Sequence, residues 1–181
     1  MPGWKILKSE VVIDTPHLRL RRDSIELPAG TVIEGYHVRE TRGFVVIFPI
    51  TPEENVVLVR QYKHGIGEIV LELPAGAIDQ GETAEHAALR ELREETGYTT
   101  PRALERIRTF VVDPTNSNGR FTLYIAHDAA LTEKRHLDPT EDIAVELVHV
   151  DKLIDLIHSG EINVCNHVGA IYTGLDRLGR L

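Results

Sequence analysis

Three glutamates, Glu91, Glu94 and Glu95, stand within about one turn of a segment whose other residues carry the spacing of a helix packed on a core. Ala84, Ala88 and Leu92 form an apolar stripe, and at about 100° per residue Glu91 and Glu95 fall within about 20° of Ala84. Two acids are thereby aimed at the body of the protein. Charge taken out of water needs a partner, because unpaired buried charge is expensive. Divalent oxygen-seeking cations supply that partner, and Mg²⁺ is the usual one where phosphates share its coordination sphere. Arg90 can bridge the acids and hold them in place. Gly76 and Gly81 let the preceding loop turn tightly, so that a backbone carbonyl such as that of Ala75 can also face the metal. Thr83 as N-cap, Glu85 in the first turn and Gly97 at the C-terminus bound this helix to residues 83–96.

The remainder predicts mostly strands. Residues 1–42 alternate apolar and polar in several places, as in Glu10-Val11-Val12-Ile13-Asp14, and read as two or three antiparallel strands turning near Pro28-Ala29-Gly30. Three strands alone bury too little to be comfortable in isolation, so they are expected to pack on the rest of the chain or on a second subunit. From residue 43 the texture changes. Phe44–Phe48, Val56–Val59 and Ile69–Leu73 are short apolar runs bounded by turn residues, as in strands covered on both faces. Further strands are expected around Leu104–Val112, Arg120–His127 and Ile143–Val150, with helices from about Asp151 to His158 and Val164 to Arg177. The expected architecture is an α/β sandwich on residues 43–181, preceded by an N-terminal antiparallel β subdomain on 1–42.

Bulk properties narrow the function. A chain of 181 residues with a formal charge of −8 is poorly suited to general nucleic-acid binding, which needs clustered Lys and Arg. Phosphate chemistry remains open, since carboxylates reach phosphates through metal ions. The single cysteine, Cys165, excludes an internal disulfide, fits a reducing compartment, and is expected to be a packed thiol despite His167 nearby. No run approaches the length of a membrane span or a signal peptide, so a cytoplasmic location is the expectation. His64, His86, His127 and His149 have no metal-ligand spacing and read as structural or exposed.

A solvated helix laced with Glu–Arg pairs would also carry these acids. The pattern is narrower than that: Gly76, five residues, Glu82, seven residues, then Arg90-Glu91-Leu92-Arg93-Glu94-Glu95-Thr96-Gly97-Tyr98. This resembles the Nudix box, with Tyr98 where the family usually has a bulky aliphatic. Seven fixed residues coincide by chance at a given start on the order of once in a hundred million, which decides against the bland helix. The resemblance implies a Nudix α/β/α sandwich with a mixed sheet and hydrolysis of a nucleoside diphosphate linked to another group. It implies two or three Mg²⁺ ions, with Mn²⁺ as a possible substitute, held by Glu91, Glu94, Glu95 and the Ala75 carbonyl. Glu94 and Arg90 count among its catalytic residues.

Flanking residues resemble the ADP-ribose pyrophosphatase branch: Val59-Arg60-Gln61-Tyr62-Lys63-His64, Glu72-Leu73-Pro74-Ala75-Gly76, and Pro114 sixteen residues beyond Tyr98. Lys63 stands where that branch usually has an Arg, keeping the charge and losing the fork. The resemblance makes Arg60, Lys63, Glu72 and Pro114 substrate-binding candidates, with Trp4 (or Tyr36) for stacking on the base. In the acidic loop Asp138–Asp142 it places a catalytic glutamate on Glu141, with Asp142 the rival, to orient and deprotonate water. It further implies a homodimer exchanging N-terminal strands, and ADP-ribose cleaved to AMP and ribose 5-phosphate. A broader or GDP-mannose-type hydrolase and a non-catalytic nucleotide-sugar sensor are the alternatives.

Overall fold

The computed structural model describes residues 2–137, 140 and 142–181. It forms two compact units: Met1–Gly43 with Val111–Arg120, and Phe44–Phe110 with Phe121–Leu181.

The first unit is built on an antiparallel sheet of β1 (Lys5–Asp14), β2 (Arg19–Glu26) and β3 (Val32–Glu40), in that order. The expected turn is present: Gly30 takes φ +83° and its N–H donates to the Leu27 carbonyl at 2.8 Å. The unit also takes in residues 111–120, which the division at residue 42 leaves with the larger domain. Those residues are tied to β3 and its C-terminal extension by hydrogen bonds to main chain and side chain. Arg39 N–H donates to Asn116 O at 2.7 Å, and Thr41 N–H donates to the Asn118 side chain at 2.8 Å. Little apolar area is covered here. Ile25 is buried, whereas Trp4, Ile6, Leu7, Val11 and Val12 are exposed.

The second unit holds the main core. One sheet runs β7 (Ala75–Ala77), β4 (Phe44–Pro49), β10 (Arg120–Ala126), β9 (Glu105–Val111). It is mixed, since β4 is parallel to β10 and antiparallel to β7. A second sheet runs β12 (Ile143–His149), β5 (Asn55–Lys63), β6 (Glu68–Glu72), with β5 antiparallel to both neighbours. A short pair joins β8 (Tyr98–Thr99) to β11 (Ala130–Leu131). The apolar runs Val45–Phe48 and Val56–Val59 are wholly buried, as two-sided burial requires. Each such side chain contributes about 1.5–3 kcal/mol.

Helices lie on both faces of β4. Val45 and Ile47 pack with Ala87, Ala88 and Leu92 of the segment that starts with α1 (Ala84–Glu91). Phe48, the next residue after Ile47, meets α3 (Cys165–Arg177) at Gly174. Alternation along a strand sends neighbours to opposite faces, so an α/β/α sandwich follows. Between them in sequence, α2 (Leu153–His158) occupies the expected helical stretch.

The predicted helix 83–96 is present with one change. Thr83 Oγ1 accepts the His86 N–H at 3.2 Å, and Gly97 closes the end at φ +76°. However, the α-helix stops at Glu91 and Leu92–Thr96 form a π-helical turn. The wider turn shifts Glu94 and Glu95 around the axis relative to their α-helical bearings.

Two glycines of α3 give opposite predictions. A Cβ on Gly174 would lie 2.6 Å from the Phe48 ring, while one on Gly169 meets nothing within 4 Å. Gly174→Ala is expected to lose about 1–3 kcal/mol through overpacking. Gly169→Ala is expected to gain about 0.5–1 kcal/mol from reduced backbone freedom in the unfolded chain. Urea denaturation of both variants measures this, and stabilisation by both would contradict the close packing of α3 on β4.

Candidate active site

The site is assembled where the connection from β6 into β7, Leu73–Ala77, meets the acidic end of α1 and the π-turn after it. Gly76 makes the approach possible. A Cβ there would land on the Glu91 carboxylate, so any other residue would displace either the acid or the turn. Ala75 N–H donates to Glu95 Oε2 at 3.1 Å, stitching the same turn to the second acid. Glu91 and Glu95 are 9% and 4% exposed, so both face inward as their stripe position predicts.

Arg90 organises the acids from the other side. Its Nε and Nη2 grip the two oxygens of Glu82 at 3.0 and 2.9 Å. Nη1 donates to Glu91 at 2.7 Å and to Glu94 at 3.3 Å, and Nη2 also reaches the Ala77 carbonyl at 3.0 Å. This fork pulls the Glu82 carboxyl down to about 2, and the same partners raise Arg90 further above its ordinary value. Glu82 in turn accepts the Asp79 N–H at 3.1 Å, closing the loop ahead of α1. Among the described residues no three acidic, imidazole or thiol side chains converge as a ready-made ion cage; Glu91 and Glu94 meet at Arg90.

The donor chemistry nevertheless fits a hard divalent cation. Only oxygens are offered, from Glu91, Glu94, Glu95 and the backbone of the turn, and they are brought as close as a glycine permits. The Ala75 residue expected to contribute its carbonyl is on that turn, in register opposite Val46.

The other predicted residues are distributed differently. Glu72 is buried, with Oε1 receiving the Gln61 amide at 2.8 Å and the Lys63 ammonium at 2.7 Å. Lys63 and Glu72 are thus partners of each other. Arg60 is paired with Glu146 and with Glu161, the latter at 2.6 Å, which raises its pKa. Trp4 and Pro114 belong to the N-terminal unit, where Trp4 packs edge-on against Tyr36 at 6.2 Å. Glu141 lies outside the described residues; its rival Asp142 is exposed.

Two readings are corrected or extended. Cys165 is exposed at the first turn of α3 and is not packed. His167, which drew notice only as a neighbour of Cys165, is buried. Its Nδ1 accepts the Leu73 N–H at 3.2 Å and its Nε2 faces Glu72 Oε2 at 3.1 Å. A signal was available: His167, Ala170, Ile171, Gly174 and Leu175 form the buried stripe of α3, so the histidine sits at a core position.

Comparison with known proteins agrees with the geometry. Residues 39–164 match the NUDIX domain family, and residues 4–38 match the nucleoside diphosphate sugar hydrolase N-terminal domain. An ADP-ribose pyrophosphatase of Bacillus subtilis (strain 168) is 31% identical over 159 residues, covering 87% of this chain and 85% of that protein. The methanol dehydrogenase activator of Bacillus methanolicus is also 31% identical over 159 residues, with coverage of 87% and 85%. A crystal structure of an ADP compounds hydrolase shares the fold, with a TM-score of 0.87, 24% identity and coverage of 100% and 98%. With the box complete from Gly76 to Tyr98 and the family match spanning most of the chain, this protein is a member of the Nudix hydrolase family.

Proposed function

We propose that the protein hydrolyses the pyrophosphate bridge of nucleoside-diphosphate sugars, with ADP-ribose as the preferred substrate and AMP and ribose 5-phosphate as products. The observation that carries the reading is the inward-facing acid cluster, Glu91 and Glu95 set against the glycine turn with Arg90 behind them. The choice of ADP-ribose is supported by the N-terminal nucleoside-diphosphate-sugar hydrolase domain and by relatives named ADP-ribose pyrophosphatase.

Glu91, Glu94, Glu95 and the Ala75 carbonyl would hold two or three Mg²⁺ ions, with Mn²⁺ as substitute. When bound, these supply Lewis acidity toward phosphoryl oxygens and neutralise charge on the departing phosphate. Arg90 keeps Glu91 and Glu94 oriented, and Glu82 fixes Arg90 in that pose. Glu141 accepts the proton from the attacking water. Lys63 and Arg60 contribute positive charge for the diphosphate, Glu72 sets the position of Lys63, and Trp4 and Pro114 shape the nucleotide end.

The exposed apolar side chains of β1, including Trp4, Ile6 and Val11, support a homodimer through the N-terminal strands, with strand exchange. The free thiol of Cys165 is compatible with a cytoplasmic setting.

Incubation with ADP-ribose and GDP-mannose in ¹⁸O-labelled water, with Mg²⁺ and then EDTA, tests the substrate, the metal requirement and the point of attack together. ADP-ribose is expected to give the higher kcat/KM, with turnover abolished by EDTA. Tight ADP-ribose binding without a Mg²⁺-dependent product would make the protein a sensor. Glu95→Gln is expected to lower kcat by orders of magnitude; near-wild-type turnover would refute the metal-ligand assignment. Gly76→Ala should likewise lower kcat, with most of the loss appearing in turnover at saturating substrate, because its Cβ competes with Glu91 for space. Unchanged kcat in that variant would show that the carboxylate position is not critical.

A further inference from the structure

The segment Leu73–Ala75 is held by three different elements, with Ala75 also in register opposite Val46 of β4. Leu73 N–H donates to His167 Nδ1 of α3 at 3.2 Å. Pro74 O accepts the Ile47 N–H of β4 at 2.9 Å. Ala75 N–H donates to Glu95 of the π-turn at 3.1 Å. Pro74 itself has no N–H to satisfy. The first bond is the one made by a side chain from a distant part of the chain, 94 residues away.

We propose that His167 is a positioning residue for the metal-binding turn: by accepting the Leu73 N–H while facing Glu72, it sets where Ala75 and Glu95 meet. The inference rests on the proposed role of Ala75 and Glu95 as ligands. A hydrogen bond accepted from Leu73 requires Nδ1 to be bare, so the ring proton of the neutral imidazole is on Nε2 and is donated to Glu72 Oε2, 3.1 Å away. Glu72 then links this ring to Gln61 and Lys63 of β5 through its other oxygen. Burial holds the imidazole down to about 4; Glu72 opposes that shift and Lys63 reinforces it, and the neutral tautomer persists at physiological pH. The bond matters because Leu73 is fully buried, and its N–H needs a partner away from water.

His167 is not itself among the proposed ligands; it acts by fixing the segment that carries one of them. Two substitutions separate its halves. His167→Asn keeps an acceptor near the position of Nδ1 and gives up the link to Glu72. His167→Gln keeps a donor near the position of Nε2 and gives up the acceptor for Leu73. If the Leu73 bond is what positions the turn, His167→Gln binds Mn²⁺ alone about 10- to 100-fold more weakly than wild type, and His167→Asn loses less. Mn²⁺ binding is read from the electron paramagnetic resonance signal of the free ion. In turnover, His167→Gln should raise the metal concentration needed for half-maximal rate, while KM for ADP-ribose at saturating metal changes little. A general packing defect would not rank Asn above Gln in this way.

A wild-type protein that binds no Mn²⁺ overturns the underlying ligand assignment and this proposal with it. Wild-type binding matched by both variants overturns the positioning role alone. Should the variants fold poorly, ¹⁵N resonances of the wild-type His167 ring decide the matter independently. A bare Nδ1 and protonated Nε2 are expected at neutral pH, and a proton on Nδ1 overturns the proposal.

Discussion

The placement of the Glu91 carboxylate directly over the backbone of Gly76 is the constraint on which the catalytic unit depends. Everything around it resolves the resulting problem of several acids in a small, poorly solvated space. Arg90 takes a share of three of them and of the Ala77 carbonyl with one guanidinium. Ala75 N–H takes a share of the fourth. A lysine in place of Arg90 would offer one point charge where five fixed donors are needed to connect Glu82, Glu91, Glu94 and the turn. The strands beneath provide rigidity. With Val45, Ile47, Ala88 and Leu92 fully buried, the helix that carries the acids cannot shift without opening the core.

Much of this was legible before any coordinates. The spacing from Gly76 to Tyr98 identified the loop and helix, Thr83 and Gly97 marked its ends, and the stripe of Ala84, Ala88 and Leu92 put Glu91 and Glu95 on the inner side. Strand positions followed from apolar runs such as Val45–Phe48, because burial on both faces leaves no room for polar residues. Local signals of this kind depend on residues a few positions apart, and a single sequence reports them well.

What escaped notice is non-local or depends on small backbone adjustments. The π-turn at Leu92–Thr96 leaves no mark on a pattern read at a fixed helical period, although it changes the bearings of Glu94 and Glu95. The association of residues 111–120 with β3 joins groups more than 70 residues apart, such as Arg39 with Asn116 and Tyr36 with Thr115, which no local pattern reports. Lys63 and Arg60 read from sequence as free cations for phosphate. In the fold each is engaged by carboxylates, Lys63 by Glu72 and Arg60 by Glu146 and Glu161, partners supplied by other strands and loops. Glu146 and Glu161, 86 and 101 residues from Arg60, could not be assigned to it by spacing.

The engagement of Lys63 bears on how the site can work. Its ammonium sits against a carboxylate that is itself buried and shared with Gln61 and His167. A diphosphate approaching Lys63 therefore competes with Glu72 for one ammonium, but Glu72 would not be stranded, because the Gln61 amide and the His167 ring remain. Glu72 is the side chain common to Lys63 and to His167. Lys63, Glu72, His167 and Leu73 thus form one hydrogen-bonded chain, built from residues on β5, β6 and α3 and the segment that follows β6. An Arg at position 63 would bring a second prong to the same carboxylate. The single-pronged lysine leaves the remaining lone pairs of Glu72 to Gln61 and His167, so the family's usual arginine and this chain's lysine differ in how tightly substrate contact is tied to the turn.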